Sequence, residues 1–299
     1  MAVSVPAPQA AVLRGILLSV AATTMFTCND TLVKWLTQHH PIPQLVWARY
    51  FFHFLLMLLL FRPSRPWALL HSARPGLQAF RALLLLVSTG FFFTAIRFIP
   101  MADATAIGLI GPLVATLVAV PMLGERIGIR RLSACVVGFI GALIIIRPGF
   151  GMIHWAAVLP LCSSCIYALF QVLTRRIGGS DAPLTTLFYT AVVGAGVSSL
   201  AAPFVWAPIE WTHWPLLVLI GLVGGGGHYL VIRAYQLAPV GVLAPFAYFQ
   251  LVTATVLGFI VFGQLPDRWT VLGAVVLTAS GLYVLYRETV RRRERQAAS

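Results

Sequence analysis

"MADATAIGLIGPLVATLVAVPMLGE" at residues 101–125 and "VGVLAPFAYFQLVTATVLGFIVFGQ" at 240–264 are one segment written twice. Each follows a short run ending in proline, "RFIP" at 97–100 and "QLAP" at 236–239. At an offset of 139 residues Pro100 pairs with Pro239 and Gly124 with Gly263. The same offset carries on, with "IGIRRLSACVVG" at 127–138 answering "PDRWTVLGAVVL" at 266–277 and Ala134 falling on Gly273. A fixed spacing sustained this far marks two homologous halves.

What each half contains follows from composition. Hydrophobic residues make up 59% of the 299 and charged residues 10%, against about 25% charge in soluble domains. Apolar segments recur along the whole chain, at about 13–35, 44–61, 77–97, 103–123, 130–147, 152–174, 183–206, 213–235, 241–262 and 268–287. Each approaches the roughly 20 residues a helix needs to cross hydrocarbon. The runs are unbroken rather than alternating, so helices, not barrel strands, satisfy the backbone in lipid. The fold class is all-α, an integral membrane protein of ten transmembrane helices, divided into residues 1–147 and 148–299. Five spans per half is odd, so the second half enters the membrane from the opposite face. Such a five-plus-five inverted repeat belongs to transporters far more often than to enzymes, because one sequence then specifies two alternately open faces around a central site.

Charge sets the orientation. With the N-terminus inside, sixteen of the 21 basic residues fall on inner connections and tails. Four, Lys34, Arg97, Arg147 and Arg268, fall outside, and Arg49 lies within a span. That asymmetry places both termini in the cytoplasm of a bacterial inner membrane. The net charge of +13 is spread over six inner sites, so it reads as contact with anionic lipid headgroups and not as nucleic-acid binding; "RRRER" at 291–295 is a membrane-surface tail. Residues 1–12 with Arg14 read as a retained signal anchor.

The run "LVGGGGHYL" at 222–230 invites comparison with a phosphate-binding loop. That loop needs a strand before it and Lys-Ser/Thr after it. Here His228 and Tyr229 follow, and the only lysine in the chain is Lys34. A nucleotide site, and an ATP-driven pump, are excluded. In a membrane helix glycines admit a neighbouring backbone and weaken the helix. Two readings stay open: tight packing, or a flexing, cavity-lining segment with Gly226 as a hinge. Gly111 with Pro112 in the fourth span and Pro245 in the ninth are further weak points, and helices broken near the midplane mark binding sites in such folds.

The two repeats, with "GFIGALIIIRPG" and "GAVVLTASGLYVLYRE" closing them, resemble the paired repeats of EamA-type transporters in the drug/metabolite transporter superfamily, over about residues 13–288. The resemblance implies ten helices in an inverted repeat, secondary transport of small metabolites with amino-acid exporters as the nearest group, and a path surrounded by helices 1, 3, 4, 6, 8 and 9. One departure stands out: Gln264 occupies the place that Glu125 holds in the first half.

Polar groups inside lipid are costly and call for a role. Asp30 sits one turn before Lys34; the expectation is an i,i+4 ion pair that lets Lys34 reach the interface, with a gate or proton acceptor as the alternative for Asp30. Arg49 is expected to snorkel or to pair with Asp30, and His53 to lie on a peripheral helix. The candidate substrate-binding residues are Asn29, Phe92, Tyr167, His228, Tyr229, Tyr248 and Gln250, which offer hydrogen bonds and ring surface; the candidate gating or coupling residues are Asp30, Gly111, Pro112, Gly226 and Pro245. Trp35, Trp47, Trp155, Trp206, Trp211, Trp214 and Trp269 fall at span ends, as interfacial anchors do. "CSSC" at 162–165 is a single pair in an apolar helix and reads as packing by small residues, not as a metal or redox site. No cofactor, metal or catalytic constellation is expected. The function this supports is export of amino acids by alternating access; uptake of a nucleotide-derived metabolite and a non-transporting structural role are the alternatives.

Overall fold

The computed structural model describes residues 9–61, 69, 71–124, 127–147, 155–177, 180–238 and 240–297. Arg62, Arg65, Glu125, Arg126 and Pro239, residues 1–8 of the expected anchor, the junction at 148–154 and the side chains of the 291–295 tail lie outside that description.

Ten helices are long and apolar enough to cross a membrane: α1 (Gln9–Leu36), α2 (Ile42–Leu59), α3 (Pro75–Phe98), α4 (Met101–Leu123), α5 (Ile129–Ile146), α6 (Trp155–Ile177), α7 (Pro183–Phe204), α8 (Trp211–Leu237), α9 (Pro245–Phe262) and α10 (Arg268–Arg287). No strand occurs among the described residues. Prolines open several of these helices, Pro75 in α3 and Pro183 in α7 among them. There the missing N–H belongs to an unpaired first turn and the fixed φ suits the helix.

Two of the ten are broken, at equivalent places. Within α4, the helix Met101–Gly108 stops and a second, Gly111–Leu123, starts with Pro112 in its first turn. In the α9 region a helical turn, Val240–Leu243, passes through a 3-10 segment, Ala244–Tyr248, into the helix Phe249–Phe262. Leu109 of the first break and Tyr248 of the second are related by the offset of the sequence repeat. Both helices also end alike, Gly124 at φ 69° and Gly263 at φ 65°. Each donates its N–H back to a carbonyl four residues earlier, Val120 and Phe259. Left-handed backbone of this kind is nearly free for glycine and strained for other residues.

Small residues set the closest approaches between the halves. The Gly141 and Gly273 backbones meet where α5 crosses α10, and Ser280 of α10 donates to the Ala134 carbonyl of α5. The four-glycine run performs the same service on α8. A Cβ on Gly225 would stand 2.5 Å from the His53 ring of α2, and on Gly227 2.7 Å from the Phe26 ring of α1. Gly226 is as close to Met25, at 2.8 Å. Both α1 and α2 therefore lie against α8 at distances no side chain would permit.

Lys34 is a correction. It does not pair with Asp30 or reach the interface; it is buried, 6% exposed, and donates to the carbonyls of Ile96 at 2.8 Å and Ile99 at 2.6 Å. Those oxygens are released where α3 ends before α4, and the ammonium satisfies them. Trp155, Trp206, Trp211 and Trp269 are exposed at span ends.

Candidate functional site

Between the halves lies a cavity of about 210 Å³. Asp30 and Phe26 reach it from α1, Arg49 from α2, Ser88 and Phe92 from α3, Thr105 and Gly108 from α4, Ser163 and Tyr167 from α6, His228 from α8 and Gln250 from α9. Both halves thus contribute. The breaks in α4 and α9 bring Gly108 and Gln250 to its wall.

The charged groups are held from behind. Asn29, fully buried, donates from Nδ2 to the Ile220 carbonyl at 2.7 Å and accepts from Arg49 Nη1 at 2.7 Å. The Arg49 guanidinium lies over the Phe93 ring, 5.5 Å from its centroid. One guanidinium nitrogen is thus fixed, and among the described residues the fork's remaining donors make no hydrogen bond, which leaves them for a planar acceptor. Gly224 faces this pair, and a Cβ there would make ordinary contact with it, 3.5 Å from Asn29 Nδ2 and 3.6 Å from Arg49 Cζ. Asp30, one residue on from Asn29, is buried at 7% exposure and lines the same cavity. No hydrogen bond to Asp30 occurs among the described residues. Carboxylate and guanidinium at one small cavity form a site with both signs of charge, where desolvation makes an unpaired charge costly and a complementary ligand charge favourable.

Rings make up the apolar wall. His228 meets the Phe26 ring edge-on at 4.9 Å and stacks with His53 at 6.2 Å and 11°. His53 is buried, with Nε2 lacking a hydrogen-bond partner among the described residues. Tyr167 stacks on Phe170 at 5.4 Å. The serines of "CSSC" face inward: Ser163 and Ser88 exchange side-chain to carbonyl bonds at 2.8 and 3.0 Å, joining α6 to α3. Ser164 donates to the Gly108 carbonyl at 3.1 Å, beside the break in α4.

Of the residues singled out from sequence, Phe92, Tyr167, His228, Gln250 and Asp30 meet at this cavity. Asn29 stands behind Arg49 instead of lining it. Tyr248 turns toward α10, where Gly281 leaves room for its ring, and its hydroxyl is buried without a partner among the described residues. Tyr229, half-buried, is not on the wall. Pro112 and Pro245 are exposed, Gly111 lies beside Ser164, and Gly226 packs on Met25. Arg49, expected to snorkel or to pair with Asp30, instead lines the cavity and bonds Asn29, and His53, expected on a peripheral helix, is buried against α8. The signal that could have found Arg49 was in the sequence: an arginine inside a span, a few residues from the nearest end, is costly without a partner, and Asn29 supplies one.

Comparison with known proteins agrees on the class. An S-adenosylmethionine uptake transporter of Rickettsia prowazekii is 26% identical over 92% of this chain and 94% of that protein. A riboflavin transporter of Rhizobium johnstonii is 29% identical, covering 95% and 94%. The pseudopaline exporter CntI of Pseudomonas aeruginosa is 28% identical, covering 89% and 94%. A solved crystal structure, 17% identical, aligns over 96% of this chain and 99% of that one with a TM-score of 0.60, a likeness of fold. The model of the EamA-like transporter family matches twice, over residues 13–147 and 154–287. This chain, a multi-pass membrane protein with two such repeats, therefore belongs to the EamA-like transporter family of small-molecule transporters.

Proposed function

We propose that the chain carries metabolites bearing an α-amino-acid head, with Arg49 receiving the carboxylate, Asp30 the ammonium, and Phe26, Phe92, Tyr167 and His228 the side chain. The observation that carries this reading is that Asp30 and Arg49 line the same small cavity as the rings of Phe92 from α3 and Tyr167 from α6. Neither group alone selects a zwitterion. Together they leave an unpaired buried charge whenever one end of the ligand is missing, which is how polar sites discriminate most strongly.

Size separates the candidates. Sites for drug-sized ligands run from about 300 to 1,000 Å³, and this cavity, at about 210 Å³, suits a free amino acid. S-adenosylmethionine, which joins an adenosyl group to methionine, shares the head and needs the halves to part further; similarity to its uptake transporter favours it as the second reading. Export of the one and uptake of the other are a single cycle run down opposite gradients. Movement of residues 1–147 against 148–299 about the breaks in α4 and α9, with both termini cytoplasmic, is the cycle that fits.

Equilibrium binding of labelled methionine to purified protein tests the assignment, with competition by its decarboxylated and deaminated analogues. Arg49→Gln should weaken methionine on the order of tenfold, the equivalent of one ~1.4 kcal/mol interaction, while leaving the decarboxylated analogue unaffected. Asp30→Asn should do the reverse. Equal losses for every ligand in both variants would mean that these groups serve the fold and not the substrate.

A further inference from the structure

Two contacts join the halves at places that the inverted repeat makes equivalent. The connection between α1 and α2 belongs to the first half and rests on the start of α8, in the second. There His40 and His213 share an N–H between Nε2 and Nδ1, 2.9 Å apart. The connection between α6 and α7 belongs to the second half and rests on the start of α3, in the first. There Asp181 accepts from Ser72 Oγ, from the Ala73 N–H at 3.1 Å and from Gln78 Nε2 at 2.8 Å. The repeat puts the two contacts on opposite faces of the membrane, each spanning the seam that must part for its own face to open.

We infer that these contacts are the paired clasps of the transport cycle, and that the histidine clasp is released by protons on its own face while the carboxylate clasp is not. The inference rests on the alternating-access reading but not on the identity of the substrate. Geometry supplies the asymmetry. Two imidazoles sharing one N–H cannot both be cations at 2.9 Å, and both rings are buried, at 4% and 7% exposure. His39 and Trp35 pack on His213, with ring centroids 5.0 and 5.6 Å away. The groups facing His40 are His213 and His39, whose charges oppose a proton there, and Gln44 and Glu210, which favour one. Burial leads the balance, followed by His213, and holds His40 below its ordinary 6.5.

The sign follows. A base that binds its proton less well in the closed clasp leaves that clasp at full strength above pH 6.5 and weakens it as pH falls below. Asp181 responds with the same sign but in a lower pH window. The Ser72 hydroxyl, outweighing slight burial, together with Gln78 and the Ala73 N–H, holds its carboxyl below the usual range. Its clasp is intact above that range and yields only in stronger acid.

The test reads opening without a substrate. In protein lacking Cys28, Cys135, Cys162 and Cys165, Ser88→Cys places one thiol at the cavity. A membrane-impermeant maleimide is then added on the histidine face in sealed vesicles. Rates are compared with those of the same protein carrying His40→Gln or His213→Gln, so the pH dependence of the thiol cancels. Between pH 8 and 5.5 the histidine-intact protein should gain relative to either variant by about five- to tenfold, since one proton shifts a population at most ~10-fold per pH unit. Two variants guard against one that folds poorly, and acid on the opposite face should leave the ratio flat. A ratio independent of pH on the histidine face, or an equal gain from acid on the other face, would overturn the inference.

Discussion

Lys34 shows how one residue's meaning changes with its surroundings. From sequence it is a cation one turn from Asp30, and an i,i+4 pair is the local expectation. The structure offers a stronger partner, because Lys34 is buried where the end of α3 presents the Ile96 and Ile99 carbonyls to its ammonium. Lys34→Met should therefore cost more than a surface ion pair, about 1–3 kcal/mol for each carbonyl left buried and unpaired. Thermal unfolding in detergent measures it; an unchanged midpoint would mean the oxygens find water. Gly225 gives a second case. Gly225→Val has no room beside His53 and should lower stability by about 1–3 kcal/mol, the usual cost of overpacking; a stable variant with unaltered transport would show that α2 and α8 can separate freely. His228, Tyr167, Phe92, Gln250 and Asp30 were legible as cavity residues because they are polar or aromatic groups near mid-span. For Arg49 the sequence showed the need for a partner but not which one, since the side of a helix that an arginine faces depends on neighbours such as Asn29, twenty positions away and on another helix.

At the scale of the helix, most of the architecture could be read directly. Apolar length gives the ten spans, and Pro112 and Pro245 foretold where two of them break. The residues marking the breaks are not those that use them: Pro112 and Pro245 face outward, while the backbone they bend carries Gly108 and Gln250 to the cavity. A proline's φ restriction is written in its own position, whereas the direction of the resulting bend depends on packing. The matched glycine ends allow a quantitative check. Gly124→Ala and Gly263→Ala each force a side chain into left-handed backbone, which costs about 1–2 kcal/mol. Equal losses in the two single variants, measured by thermal unfolding, are expected from a repeat that uses the same turn twice; a loss in only one would show that the turns differ in burden.

For the whole molecule, the internal offset announced two halves, and an odd number of spans per half announced their inversion. What the offset could not give is which connection meets which helix across the seam. His40 and His213 are 173 positions apart, and nothing local to either names the other. The charge asymmetry of the connections supplies an orientation that is testable by itself. A reporter enzyme active only in the cytoplasm, fused after Ser299, should be active, and the same fusion in the α1–α2 connection inactive; the opposite pattern would invert the membrane while leaving the fold intact. The proposal is narrower than the topology: a cavity lined by both Asp30 and Arg49 is proposed to select the amino-acid head of its substrate. Counterflow into liposomes holding the purified protein tests it most directly, using labelled methionine and labelled S-adenosylmethionine. Saturable flux of methionine is expected and, where S-adenosylmethionine also moves, mutual competition between the two with none from adenosine. Flux that adenosine or riboflavin blocks and methionine does not would contradict it.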